Sequence, residues 1–188
     1  VSGSGDETEI IELLKGRLDE QNQFPWQSVN YLESHDDFTF IDRLCTPEEW
    51  NDGAPPQEAI NRAKLAIGLL LLCPGIPMLA SGQDYLRSKN GVRNTYKRGD
   101  LNALDYEKLS LLEYVHIWTK GFITFRMSEL GNLVSSKNFL SSDQYEIVNG
   151  NKNCFAVIVN EEGDIQTKNI LLILVNGSEE QNRIELPK

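Results

Sequence analysis

The strongest candidates for chemistry in this chain are two neighbouring residues, His35 and Asp36, which follow a short run of bulky side chains. That run, 28–33, favours a β-strand, and parallel α/β folds collect their functional side chains where strands end. A carboxylate there can stabilise positive charge, and an imidazole beside it can donate hydrogen bonds to a polar ligand. The alternative is a turn in which Asp36 or Asp37 caps the following segment. The spacing alone leaves both interpretations open.

A metal site is disfavoured by the remaining ionisable residues. The chain has two histidines, and the second, His116, falls inside a predicted helix, where a structural role is expected. Calcium would need a cluster of oxygen ligands, and Glu33 with three aspartates, Asp36, Asp37 and Asp42, offers one. Their spacing does not match an EF-hand loop. We therefore predict no metal site and no cofactor.

A second concentration of polar residues lies between 81 and 106. Its basic residues alternate with tyrosines: Arg87, Lys89, Arg93, Lys97 and Arg98, with Tyr85, Tyr96 and Tyr106. Such a loop could bind phosphate or single-stranded nucleic acid. It could instead be solvated and make ion pairs with Asp84, Asp100 and Asp105. A sugar site is the third interpretation, in which the rings stack on the sugar and the polar groups bind its hydroxyls.

Charge and composition narrow the classes of partner. The formal net charge of −10 opposes binding to nucleic acids and to anionic membranes. No apolar run approaches the roughly 20 residues that a bilayer span requires. The three cysteines are an odd number without Cys-x-x-Cys spacing, which argues against a disulfide framework and a structural zinc site. We predict a chain with neither a nucleic-acid partner nor a membrane partner.

The elements that position the candidate residues follow from hydrophobic periodicity. Apolar residues at three-and-four spacing predict a helix over 57–72, and the continuous apolar run 76–80 predicts a parallel strand covered on both faces. Strand, helix and strand in this order form a βαβ unit, which places both strand ends on the same side of a sheet. The loop 81–106 is therefore expected to face the same cleft as His35 and Asp36.

Four further segments show clear patterns. Amphipathic patterns predict helices over 6–19 and 110–125. The second of these should bury one side, formed by Leu111, Leu112, Val115, Trp118 and Phe122. Two β-rich runs, 155–159 and 170–175, predict an antiparallel β appendage that begins near residue 132.

Two motifs resemble one known family. The segment Tyr31–Asp36 resembles the fourth conserved region of the α-amylase superfamily, glycoside hydrolase family 13. The segment Gly75–Arg87 resembles the eighth strand and following loop of those barrels. The continuation Lys89–Tyr96, with Asp100 and Asn102–Tyr106, is similar to the pullulanase and isoamylase branch. The matches cover residues 28 to 106 in the family's order.

The resemblance implies a role for each matching residue. Asp36 corresponds to the third catalytic carboxylate, which stabilises the oxocarbenium-like transition state. His35 corresponds to the neighbouring histidine that hydrogen-bonds the same sugar. Asp100 matches the loop aspartate that contacts the next glucose, and Asn94 and Tyr96 match wall residues of the cleft. The resemblance thus implies that Asp36 is catalytic and that the other four residues bind substrate.

The other two carboxylates that this chemistry needs are not matched in the chain. A retaining glycosidase uses a nucleophile and an acid/base about 5 Å apart. In this family they come from the fourth and fifth strands, which precede every element matched here, and no Asp or Glu between Val1 and Glu33 lies in such a motif. The chain also starts without an initiator Met. We therefore expect a fragment that is inactive by itself.

The implied fold class is α/β. Residues 1–131 would form the C-terminal part of a TIM (β/α)8 barrel, and residues 132–188 an antiparallel β-sandwich-like domain that we expect to be truncated. The opened barrel should expose strand edges and therefore self-associate. In this family calcium is usually bound by earlier segments, and the resemblance favours a periplasmic or secreted location.

The implied function is that of a retaining α-glucan hydrolase. The parent would be pullulanase-like and cleave α-1,6 branch linkages in an α-glucan polysaccharide or oligosaccharide, with α-1,4 linkages as the other specificity. The alternative is a non-catalytic glucan-binding protein that keeps the cleft wall without the chemistry. The two hypotheses differ in whether the parent carries an aspartate nucleophile and a glutamate acid in preceding strands.

Overall fold

The computed structural model describes residues 27–135, 145–149, 154–160 and 170–187. Within these ranges two strands and three helices make up the first part of the chain: β1 (Val29–Tyr31), α1 (Phe40–Leu44), α2 (Gln57–Leu72), β2 (Ile76–Met78) and α3 (Gly99–Asn102). Three helices and three strands follow: α4 (Glu107–Leu111), α5 (Glu113–Arg126), α6 (Asn132–Ser135), β3 (Tyr145–Asn149), β4 (Cys154–Asn160) and β5 (Ile170–Asn176). The predicted helix over 6–19 lies outside the described residues.

The strand, helix and strand predicted from the sequence are all present. Strand β1 falls within the predicted 28–33, α2 has the predicted bounds, and β2 falls within 76–80. The two strands are neighbours in a two-stranded sheet, as a βαβ unit requires. The Ile76 N–H donates to the carbonyl oxygen of Ser28 at 2.9 Å.

The predicted burial of the second strand on both faces is wrong for this structure. Ile76 and Met78 on β2 are 51% and 37% exposed, and Val29 and Tyr31 on β1 are similarly open. The sheet to which they belong has only two strands among the described residues, so nothing there covers its outward side chains. A run of apolar residues indicates that a strand can be buried, but the strand is buried only where neighbouring elements cover it.

Helix α2 contributes more residues than any other element to the core around these strands. Its apolar stripe is buried as predicted: Ala59, Ile60, Ala63, Ile67, Leu70 and Leu71. Phe40 and Ile41 of α1 join this core, as do Leu112 and Val115. The core therefore fixes the segments on both sides of β1 and β2.

The predicted helix over 110–125 is interrupted. Helix α4 ends at Leu111 and α5 begins at Glu113, because Leu112 between them has left the helical region with φ −116° and ψ 21°. Leu112 and Val115 are buried as expected, whereas Leu111 is 53% exposed. The break rotates Leu111 away from the side that the periodicity assigned to it.

The β-rich tail forms a three-stranded antiparallel sheet in the order β3-β4-β5. The two predicted runs correspond to β4 and β5, and β3 is an additional strand. The central strand β4 is buried on both sides, from Cys154 to Val157. Strand β5 alternates, with Ile173 and Val175 buried and Leu174 exposed.

The described chain forms two compact units. One contains Val29–Leu71 and Pro77–Thr124, and the other contains Leu72–Ile76 with the described residues from 125 onward and 27–28. In the second unit the Arg126 guanidinium donates to the carbonyl oxygens of Cys73 and Gly75 at 2.8 and 2.7 Å. The predicted domain boundary between 131 and 132 stays a prediction.

Cys45, Cys73 and Cys154 are free thiols, and all three are buried. Burial raises the pKa of Cys73 to about 12, which keeps this thiol protonated. Among the described residues, none of the helices has the length and apolar character that a membrane span needs.

Candidate functional site

A cavity of about 510 Å³ lies in the first unit, where β1 and β2 end. Its lining comes from the segment after β1, from the end of β2 and the residues after it, and from the polar loop: Ser34, His35, Met78, Leu79, Ala80, Ser81, Arg87, Tyr96 and Asn102. The volume falls in the range of small-molecule sites. The loop after residue 80 thus shares a cavity with His35, as the βαβ argument predicts.

Two of the five predicted site residues line this cavity. They are His35 and Tyr96, and the Tyr96 ring is 80% exposed. Asp36 lies next to His35 on the same turn, with Oδ2 3.5 Å from His35 Nε2. The side chains of His35 and Asp36 are 89% and 72% exposed. Both groups are therefore accessible to a ligand.

The other two predicted site residues make different contacts and do not line the cavity. Asn94 Oδ1 accepts a hydrogen bond from the Asp37 N–H at 3.3 Å. Asp100 forms a two-pronged ion pair with Arg98, with N···O distances of 2.9 and 2.7 Å. The hydrogen bonds from Arg98 lower the pKa of Asp100. Asn94 is thus placed to hold the turn that carries Asp36.

Asp37 is the most heavily contacted residue of that turn. Its carboxylate accepts hydrogen bonds from Arg93 Nε at 2.6 Å and from Arg43 Nη2 at 3.1 Å. Its backbone has φ 60°, a left-handed conformation in which Asp is better tolerated than most residues. Partial desolvation acts to raise the pKa of Asp37, but the hydrogen bond and charge of Arg93 outweigh it and lower the pKa.

Lys89 is buried beneath the same turn. The side chain is 0% exposed, and its ammonium donates to the carbonyl oxygen of Asp37 at 2.6 Å and contacts that of His35 at 3.4 Å. The Lys89 N–H donates to Asp42 Oδ2 at 2.8 Å. The interpretation of the basic loop as solvated is wrong for Lys89. The burial of Lys89 could not be predicted from the sequence, because the carbonyls that its ammonium contacts are more than 50 positions away.

The basic loop forms one of the predicted ion pairs. Asp100 pairs with Arg98, whereas Asp84 contacts His116 Nδ1 at 2.6 Å. Asp105 accepts a hydrogen bond from the Glu107 N–H at 3.1 Å. His116 therefore has a carboxylate partner, and its structural role stays a prediction. Among the described residues there is no group of three or more potential ligands that could hold a metal ion.

Glu33 is the acidic residue buried beside the turn. It is 2% exposed, and its Oε2 accepts a hydrogen bond from the Phe40 N–H. Burial raises the pKa of Glu33, opposed by the Phe40 hydrogen bond and by the charges of Arg87 and Lys89. Its Oε1 has no hydrogen-bond partner among the described residues. Glu33 therefore anchors the start of α1 and does not reach the cavity.

The lining combines apolar and polar groups in a way that suits a polyhydroxylated ligand. Met78 and Leu79 offer apolar surface and Tyr96 an aromatic face, while Arg87 and Asn102 add hydrogen-bonding groups. Ser34, Arg87 and Asn102 were not predicted as site residues, although all three lie within or beside the matched motifs. No carboxylate is among the lining residues, so this cavity does not by itself hold the pair that glycoside hydrolysis requires.

Comparisons with known proteins agree with the motifs. No family model matches the chain. A pullulanase of Bacillus subtilis strain 168 is 41% identical over 87 residues, which cover 45% of this chain and 11% of the relative. An isoamylase of a Flavobacterium species is 30% identical over 123 residues, which cover 54% of this chain and 16% of the relative. A glycogen debranching enzyme of Dickeya chrysanthemi is 25% identical over an alignment of 197 positions that includes 87% of this chain and 30% of the relative.

Solved structures give the same result for the fold. A pullulanase from Bacillus acidopullulyticus superimposes with a TM-score of 0.81 over 99% of this chain and 23% of that protein, at 19% identity. A pullulanase from Paenibacillus barengoltzii, in complex with maltohexaose and α-cyclodextrin, has a TM-score of 0.76 and 25% identity over 94% of this chain and 28% of that protein. The chain thus spans between about a tenth and a third of these relatives. These relatives, named pullulanase, isoamylase and glycogen debranching enzyme, confirm the resemblance inferred from the motifs.

Proposed function

We propose that this chain forms one wall of the glucan-binding cleft of an enzyme that hydrolyses α-1,6 branch linkages by the retaining mechanism. The observation that carries the proposal is the cavity at the ends of β1 and β2, which His35 and Tyr96 line and beside which Asp36 lies exposed. The relatives named pullulanase and glycogen debranching enzyme support the choice of linkage.

Asp36 is assigned the transition-state role in this proposal. Its carboxylate is exposed beside the cavity, where it can face the positive charge that develops on the sugar. His35 and Tyr96 would contact that sugar, with Asn102 and Arg87 as further donors. Asp100 is assigned to the neighbouring glucose, because its carboxylate is 62% exposed and keeps acceptor sites free beside its ion pair with Arg98.

The proposal also assigns each part of the chain to a domain of the parent enzyme. The segments from β1 to α5 are assigned to the last part of a (β/α)8 barrel, and β3–β5 to a β-sandwich-like domain. In such a barrel, further strands would cover the outward side chains of β1 and β2. The nucleophile and the acid/base would come from parts of the parent outside this chain, so we expect the chain alone not to hydrolyse pullulan.

The experiment is pullulan hydrolysis by the parent enzyme and its Asp36→Asn variant. Asn keeps the size and most hydrogen bonds of Asp36 but removes the charge, so kcat should fall by about 10³-fold while the unfolding midpoint stays unchanged. A fully active variant would contradict the role of Asp36. If the unaltered parent binds maltohexaose but does not hydrolyse pullulan, the glucan-binding alternative is favoured.

A further inference from the structure

We propose that Lys89 is a positioning residue for the proposed glycosidase: its buried ammonium holds the turn 35–37 and thereby sets the orientation of Asp36. This inference rests on the proposed function for its catalytic consequence. Its structural part, that Lys89 holds the turn, stands on the contacts alone.

The burial of Lys89 needs an explanation in physical terms. Lysine is almost never fully buried unless its charge is compensated, because removing an ammonium from water is costly. Within the described part of the chain the ammonium makes no direct ion pair and donates to backbone carbonyls of the turn, with Nζ 2.6 Å from the Asp37 oxygen. The charge of the buried Glu33 also acts on Lys89. The long side chain of Lys89 therefore lies buried with its ammonium against the turn 35–37.

The two carbonyl contacts lie on both sides of Asp36. The His35 oxygen belongs to the peptide that precedes Asp36, and the Asp37 oxygen belongs to the peptide that follows Asp37. Contacts with both fix the direction of the chain through Asp36 while leaving its side chain exposed. Lys89 does not line the cavity and so does not act on substrate directly.

The base of Lys89 is itself held in place. Asp42, on α1, accepts hydrogen bonds from the Lys89 N–H at 2.8 Å and from the Ser88 hydroxyl. Since α1 follows the turn directly, Asp42 ties the polar loop to the same part of the chain that Lys89 contacts. Arg93 and Asn94 add contacts to Asp37 from the next residues of the loop. The loop therefore contacts the turn through several residues, and of these Lys89 is buried.

The test uses Lys89→Met, with Lys120→Met as the matched control. Lys120 is exposed on α5, away from the turn, so the same substitution there should change nothing. In Lys89→Met, hydrogen exchange of the Asp37 N–H, which donates to Asn94 Oδ1, should become roughly tenfold faster or more, because the charged donor that holds the turn is lost. Exchange in α2 and β4 should not change. Lys89→Arg, which keeps a cationic donor, should restore part of the protection.

The catalytic consequence of the Lys89 contacts is measured as pullulan hydrolysis by the parent enzyme. Misorientation of Asp36 should lower kcat for pullulan roughly tenfold or more in Lys89→Met, with a smaller change in KM, because the lost interaction acts on the transition state. If Lys89→Met does not fold, Lys89→Gln, which keeps one neutral donor, replaces it. Unchanged exchange of the Asp37 N–H, or an equal rise throughout the described chain, would overturn the proposal. A parent that has no glucan activity would refute the proposed function and leave the exchange result to decide the role of Lys89.

Discussion

The turn 35–37 and the sheet β3–β5 are stabilised by opposite kinds of interaction. The turn exposes His35 and Asp36 and is held through its backbone and Asp37, by polar groups 52 to 57 positions away. The sheet buries the apolar side chains of β4 on both sides and depends on contacts that alternate along the strands. A segment that carries functional side chains must leave them exposed. Its conformation therefore has to be stabilised by contacts to its backbone and to neighbouring residues.

The largest effect expected from this comparison is in the sheet. Phe155 on β4 is 1% exposed, and Phe155→Ala should lower the free energy of unfolding of its unit by about 3–5 kcal/mol, through lost burial and a cavity. Denaturant unfolding followed by circular dichroism measures this. Leu174→Ala on β5 is the matched control, because Leu174 is 63% exposed and should cost less than about 0.5 kcal/mol. Equal costs at both sites would show that the exposed face is covered in solution.

A smaller effect is expected in the turn, and it depends on pH. The pKa of Asp37 is lowered below its ordinary value of 3.8, so its ion pairs stabilise the folded state above that pH. This contribution is lost as the pH falls through the lower folded pKa. Asp37→Asn should therefore lower the unfolding midpoint at about pH 7 and have little effect at about pH 2.

Asn is a suitable probe at this position because, like Asp, it tolerates the left-handed backbone conformation. The difference between the two proteins should shrink steadily as the pH falls below 3.8. A difference that grows toward low pH would contradict the assignment of the ion pairs with Arg93 and Arg43 to Asp37.

The sequence was informative where apolar residues repeat and uninformative where polar residues pair at long range. The stripe of α2 and the runs of β4 and β5 predicted their elements, because burial imposes a period on each of them. Lys89 was interpreted as part of a solvated loop, because no feature of the neighbouring sequence indicates that its ammonium contacts the Asp37 carbonyl. Leu111 was misplaced because periodicity does not show where a helix breaks.

The candidate site was predicted unevenly for the same reason. His35 and Tyr96 follow from strand-end logic and from the motif match, and both line the cavity. Asn94 lies in the same motif but contacts the Asp37 backbone. A motif identifies which residues act together, and contacts identify which of them face the ligand and which hold the others.

The central claim, that the turn after β1 forms part of a glucan-binding wall, is tested most directly by mapping where an oligosaccharide binds. We expect maltohexaose, titrated into the isotopically labelled chain, to shift the backbone NMR signals of Ser34, His35 and Tyr96 and to leave those of β4 unchanged. The Asp36→Asn chain should retain this binding site, since the substitution removes charge and not shape. Shifts confined to β3–β5, or none at the three cavity residues at saturating maltohexaose, would contradict the claim.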